Sequence, residues 1–134
     1  MSTTHEKIDQ IVKGHPVVLF MKGTAQFPMC GFSGRAIQIL KACGVDRPHT
    51  VNVLEDDEIR QGIKDYANWP TIPQLYVNGE FIGGAADACI KWKKGELQPL
   101  LEAAGVGDGS WNGYEGDPFE FLPKWMTKNP LRTR

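Results

Sequence analysis

An α/β fold, with a small mixed four-stranded sheet flanked by helices on both faces, is predicted by three observations. Val17 to Met21 is an unbroken apolar run, β-branched at its start, as expected of a strand covered on both sides. Asn78-Gly79 separates two strand-like runs, a strong hairpin signal. Stretches with apolar residues at helical spacing alternate with the strand-like ones, so the element order reads αβαβαββα plus one helix. An irregular C-terminal extension follows.

The elements are justified in order. Thr3-x-x-Glu6 has the form of a capping box, and Ile8, Ile11 and Val12 make a one-sided stripe, predicting a short helix up to Lys13 that Gly14 and Pro16 stop. The strand Val17–Met21 ends in Lys22 and a loop with Gly23 and Pro28. A helix with Ala36, Ile37 and Leu40 on its apolar face then runs from about Gly31 to Cys43, with Gly44 as its C-cap. His49 to Val53 reads as a second strand. Glu55-Asp56-Asp57-Glu58 is an acidic helix start, and Ile59, Ile63 and Tyr66 continue that helix.

Asn68-Trp69-Pro70-Thr71-Ile72-Pro73 cannot be helical, because its two prolines remove donors and restrict their predecessors. The hairpin Gln74–Val77, Asn78-Gly79, Glu80–Ile82 comes next. Gly83-Gly84 lets the backbone approach something closely, a helix runs from about Ala86 to Lys94, Gly95 breaks it, and Glu96 to Ala104 is a last helical piece. Residues 1–105 are thus one domain. Residues 106–134, with Trp111, Tyr114, Phe119, Phe121 and Trp125 among prolines and glycines, form an extension of unassigned role.

The 134 residues, 41% of them hydrophobic, suffice for one buried core, and a net charge of −1 with scattered Lys and Arg excludes a nucleic-acid stripe or a polybasic membrane patch. Met1 to Gln10 carries charges and no apolar centre, so it does not read as a secretory signal, and no run approaches membrane-spanning length. A soluble, cytoplasmic protein is expected. Three widely spaced cysteines fit reduced thiols rather than a disulfide framework.

Cys30 falls where the buried strand has ended and a helix begins, a place whose unpaired N–H groups favour an anion such as a thiolate, the form that acts as nucleophile and metal ligand. Position 33, where a dithiol motif would place its second cysteine, is Ser33, so no disulfide closes within the motif. Cys43 and Cys89 lie on apolar helix faces and read as buried small hydrophobes. A zinc site from the cysteines with His5, His15 or His49 lacks paired ligand spacing, and the histidines read as solvated surface groups. Arg60 and Lys64, at i and i+4, present two positive charges on one helix face. Trp69 is either a plug under the proline loop or part of a site.

Lys22 eight residues before the cysteine, Cys30-Gly31-Phe32-Ser33, Trp69-Pro70-Thr71-Ile72-Pro73 and Gly83-Gly84, in this order, resemble a monothiol glutaredoxin of the Cys-Gly-Phe-Ser type over residues 4 to 104. The resemblance implies a thioredoxin fold with Pro73 in cis beside the thiol, bound glutathione, and a 2Fe-2S cluster shared by two subunits through Cys30 of each. It implies BolA-like proteins and apo iron-sulfur proteins as partners. Lys22, Arg60 and Lys64 match positions that contact glutathione. The extended backbone at Thr71 and Ile72, before Pro73, is placed to pair with its cysteinyl part, and the N–H groups of Ala85 and Ala86, after Gly84, to bind its γ-glutamyl carboxylate.

The sequence departs from the family pattern at that last end. The family reads Gly-Gly-x-Asp, whereas here the acid, Asp87, comes one residue late, a rotation of about 100° on a helix. Whether Asp87 meets the glutathione ammonium is left open. Ala25 replaces a usual proline before the motif, and the second family cysteine falls at Ala85, excluding a resolving-cysteine route through that position.

A 2Fe-2S cluster takes four thiolates, so one exposed cysteine per chain leaves two ligands for an outside thiol such as glutathione. The first reading is therefore a homodimeric cluster carrier. The alternative is an oxidoreductase whose Cys30 attacks protein-glutathione mixed disulfides. The third is a regulatory interaction module for a BolA-like partner.

Overall fold

The structure is a computed structural model and describes residues 3–45 and 47–106. Its elements are α1 (Thr3–Gly14), β1 (Val17–Met21), α2 (Gly31–Ala42), β2 (His49–Asn52), α3 (Asp57–Ala67), β3 (Gln74–Val77), β4 (Glu80–Gly83), α4 (Ala85–Lys93) and α5 (Leu97–Ala103). The four strands form one sheet in the order β2-β1-β3-β4, with β1 parallel to β2 and antiparallel to β3. This is the thioredoxin fold that the sequence resemblance implied. Among the described residues no helix is long and apolar enough to cross a membrane.

All five residues of β1 are buried, as its unbroken apolar run requires. Their side chains alternate between two cores. Val17, Leu19 and Met21 join Ile37, Leu40, Cys43, Ala88, Cys89, Trp92 and Leu101 of α2, α4 and α5. Val18 and Phe20 join Ile8, Val12, Ile59, Ile63 and Tyr76 on the opposite face, under α1 and α3. At about 1.5–3 kcal/mol for each large apolar side chain buried, β1 alone contributes on the order of 10 kcal/mol of gross stabilisation.

Local chemistry sets the ends. Asp56 caps α3, its Oδ1 accepting from the N–H groups of Glu58 and Ile59 at 3.1 and 3.2 Å. The predicted hairpin turn forms with both Asn78 and Gly79 at positive φ, 51° and 81°, the type I′ geometry that matches strand twist.

Several boundaries move from the sequence expectation by a residue or two. The C-cap of α2 is Cys43, and Gly44, at φ 81°, lies one position beyond, where its N–H donates to Lys41 and that of Val45 to Leu40. Val53 leaves the second strand because Asn52 Oδ1 accepts the Leu54 N–H at 3.1 Å and starts a single 3-10 turn, Val53–Glu55. α4 begins at Ala85 rather than Ala86. Val106 packs against the core that α2, α4 and α5 share with the sheet; the aromatic residues of the extension lie outside the described residues.

The histidines are not simply solvated. His5 meets Tyr66, and His15 and His49 stack in parallel with ring centroids 3.7 Å apart and planes 3° from parallel, joining the turn after α1 to the start of β2. Burial, and then the charge of His15 against it, hold the His49 imidazole below its ordinary 6.5. A base with a lowered native pKa binds more protons when unfolded, so its stabilisation is intact above about 6.5 and is lost as pH falls below it. We expect the melting temperature to be flat from pH 8 to 7 and to drop below pH 6.5. In His49→Gln that drop is smaller; an unchanged pH profile in the variant refutes the assignment.

Candidate functional site

The sheet topology brings every predicted site residue but one to a single edge. Phe20 stands opposite Gln74 in the β1–β3 ladder, so Lys22, after β1, faces the loop that precedes β3. Leu75 stands opposite Gly83, so α4 starts beside that same loop. β1 delivers Cys30 there too, at the N-cap of α2, with extended backbone (φ −150°, ψ 136°).

The loop before Cys30 is closed on itself. Met29 N–H donates to Lys22 O at 2.8 Å and Thr24 N–H to Phe27 O at 3.2 Å, with Gly23 at φ 93° making the reversal. Asn52 ties this loop to β2 through Gly23 N–H at 2.9 Å. Phe27 and Met29 stand out, 77% and 69% exposed, and Ala25 packs against the core.

Cys30 is half-buried, whereas Cys43 and Cys89 are buried. Ser33 is also wholly buried, and its Oγ accepts the Lys22 N–H at 3.0 Å. The residue at the fourth motif position thus fastens Lys22 to the start of α2, a role that its sequence position did not disclose. Removing it leaves a partly buried donor unpaired, which costs about 1–2 kcal/mol. Ser33→Ala is expected to lower the urea midpoint accordingly with an unchanged slope; an unshifted midpoint contradicts the contact.

Ile72-Pro73 is a cis peptide. Gln74, the polar residue in an otherwise apolar strand, braces that loop from below: its Nε2 donates to Trp69 O at 3.1 Å and Thr71 O at 3.2 Å, and its Oε1 accepts from Tyr76 OH at 3.0 Å. A buried polar residue in an apolar strand was the available signal for this brace. Across the loop, an extra residue at Ile82 bulges β4, and Gly83, at φ 126°, turns the chain toward Pro73. A side-chain carbon on Gly84 would stand 3.4 Å from Pro73 O, the close approach that the glycine pair allows.

Two cavities share the wall Thr71-Ile72. One, of about 300 Å³, is lined by Phe32, Trp69, Thr71, Ile72, Pro73, Gly84, Ala85, Ala86 and Asp87. The other, of about 180 Å³, is lined by Lys22, Lys64, Pro70, Thr71 and Ile72. Together they make a groove, basic at one end and bearing a carboxylate and a helix N-terminus at the other. Arg60 lines neither cavity; it lies one helical turn before Lys64 on α3, outside the groove. Asp87 reaches back, its Oδ2 accepting the Gly84 N–H at 2.9 Å, so the late acid caps α4 and still lines the groove. Cys30 itself opens on a third hollow, with Met29, Gln38 and Lys41.

Comparison with known proteins agrees with this geometry. The Glutaredoxin family model matches residues 17–82. An uncharacterized monothiol glutaredoxin of Synechocystis is 54% identical over 101 residues, 75% of this chain and 94% of that protein. Monothiol glutaredoxin-5, mitochondrial, of Schizosaccharomyces pombe is also 54% identical, over 74% of this chain and 69% of its own. Glutaredoxin 4 of Escherichia coli K12 is 46% identical over 76% of this chain and 88% of its own. The solution structure of reduced poplar apo GrxS14 superposes with a TM-score of 0.65 at 50% identity, covering 75% of this chain and 91% of the other. The crystal structure of a buckwheat glutaredoxin–glutathione complex does so with 0.70 at 25% identity, covering 78% and 93%.

Proposed function

The chain belongs to the glutaredoxin family, among its monothiol members, and from that premise we propose that it binds glutathione in the groove and carries a 2Fe-2S cluster between the Cys30 thiols of two copies. The observation that supports this is the state of the three thiols. Cys30 alone among them reaches the surface, where it opens on the hollow with Met29, Gln38 and Lys41; Cys43 and Cys89 sit in the core, and the fourth motif position is a buried hydroxyl. A second thiol has to come from outside the chain.

Glutathione fits the groove by charge. Lys22 and Lys64 receive its glycyl carboxylate, with Arg60 at longer range. The Thr71-Ile72 backbone pairs with its cysteinyl part, directing the sulfur toward Cys30. The γ-glutamyl head lies against Gly84, Ala85, Ala86 and Asp87. Two such sulfurs and two Cys30 thiolates complete the four ligands of a cluster. A cluster held partly by a small molecule is readily released, which suits cargo for apo iron-sulfur proteins. BolA-like proteins are further candidates to share the site.

The test is anaerobic reconstitution with iron, sulfide and a cysteine desulfurase, with and without glutathione, read by visible absorption and size-exclusion chromatography. A 2Fe-2S spectrum that requires glutathione and co-elutes with a dimer is expected. A colourless monomer that reduces protein-glutathione mixed disulfides rapidly overturns the carrier reading in favour of an oxidoreductase.

A further inference from the structure

We propose, resting on the glutathione reading above, that the indole N–H of Trp69 is a specificity-determining donor of the groove, and that its acceptor is the α-carboxylate of the γ-glutamyl head. Trp69 Nε1 is buried and has no hydrogen-bond partner among the described residues. Trp69 lines the 300 Å³ cavity, and its Nε1 stands 3.8 Å from where a side-chain carbon on Gly84 would be. The residue is held from three sides. Its backbone N–H donates to Lys64 O at 2.9 Å, its carbonyl accepts from Gln74 at 3.1 Å, and its ring meets Phe81 edge-on with centroids 5.4 Å apart. An indole so fixed does not swing away to find a partner.

The kind of partner follows from the donor. Indole nitrogen donates only, so the partner is an acceptor. The neighbouring groups are donors as well: the N–H groups of Ala85 and Ala86 precede the first bond within α4, from Ala88 N–H to Gly84 O at 3.0 Å, and the helix start is electropositive. Three donor-bearing residues on the wall of one cavity favour an anion over a neutral carbonyl. The ammonium of the same head is directed to Asp87, whose Oδ2 is taken by Gly84 N–H and whose other carboxylate oxygen has no partner among the described residues. The two charges of an amino-acid head are thus sorted, carboxylate toward Trp69 and ammonium toward Asp87, at the end where the acid comes one residue late.

The test is a titration of the ¹⁵N-labelled full chain with reduced glutathione, and with γ-aminobutyryl-cysteinyl-glycine, which keeps the ammonium and lacks the α-carboxylate. In the wild type the Trp69 indole resonance, identified by its absence in Trp69→Phe, is expected to move downfield and to exchange more slowly with water on adding glutathione, and not with the analogue. Trp69→Phe is expected to weaken glutathione about tenfold and the analogue not at all, the factor one charge-assisted bond represents. Equal losses for both ligands make Trp69 a mere wall and overturn the proposal, as does unweakened glutathione binding. An indole signal indifferent to glutathione, while the Lys64 and Thr71 amides respond, refutes it independently of the variant. If neither those amides nor the indole respond to glutathione, the glutathione reading fails and this assignment falls with it.

Discussion

Iodoacetamide at pH 8 is expected to alkylate the native protein once, at Cys30, and Cys30→Ser is expected to abolish both that adduct and every thiol-dependent activity. The three cysteines differ by burial. Cys43 is fully enclosed, and burial pushes its thiol up to about 12, leaving roughly one molecule in ten thousand as thiolate at pH 8. Cys89 is 1% exposed, with Arg35 Nη2 2.9 Å from its sulfur. Cys30 is the one that reaches the surface, half-buried and opening on a hollow. Both buried thiols are therefore expected to be modified far more slowly than Cys30, since the reagent must reach the sulfur. Intact-mass measurement over time decides the matter: a single native adduct, three in denaturant, none natively and two in denaturant for Cys30→Ser. A second adduct of comparable rate in the native protein contradicts the burial of Cys43 and Cys89. Thiol-exchange turnover in the variant is expected to fall to the uncatalysed level, because no other thiol is positioned to replace Cys30.

The second large effect is expected from Gly23→Ala. Gly23 adopts φ 93°, and an added methyl would come within 2.5 Å of both Met29 N and Phe27 O. Both are backbone atoms of the loop that leads to Cys30, so relief requires the loop to open and the Met29–Lys22 hydrogen bond of 2.8 Å to break. The strained backbone alone costs about 1–3 kcal/mol, and the broken loop adds to it, so a total of about 3 kcal/mol is expected. In a domain of this size that lowers the melting temperature by about 10–20 °C. Gly79→Ala serves as the control: it also has positive φ, 81°, but nothing lies within 4 Å of the added carbon, so only the backbone contribution remains. Equal melting temperatures for the two variants would show that the loop closes without Gly23. A slower alkylation of Cys30 in Gly23→Ala alone would show that the loop sets the thiol's presentation.

The elements that carry the site were legible because their signals are local. An apolar run long enough for one strand, a helix that starts at Cys30, two prolines that bar a helix and Asn-Gly in a hairpin each act within a few residues. The convergence of Lys22, Lys64, Thr71, Pro73 and Asp87 on one groove came from the family resemblance, and the sheet register then accounts for it. What stayed hidden depends on partners distant in sequence. Ser33 meets Lys22 across 11 positions, Asn52 meets Gly23 across 29, and no periodicity encodes such pairs. The bulge at Ile82 leaves no mark in composition. Gln74 was visible as a residue out of place, yet its use as a brace needed the cis loop above it. Arg60 shares a helix face with Lys64 and lines neither cavity, because helical spacing fixes which face two side chains share, and not how far that face extends toward a cavity.

The sheet's outer strands have a consequence for company. Each is four residues long, about 13 Å of edge. β2 runs straight into a 3-10 turn, and β4 is bent by its bulge and ends at Gly83. Short, interrupted edges offer poor templates for another chain's strand. Polymerisation by sheet extension, the route by which many small α/β domains go astray, is therefore blunted at both sides. Adhesive surface is found instead at Phe27 and Met29, next to Cys30. Met29 and Cys30 line the same hollow, so whatever shields that apolar surface from water also shields the sulfur.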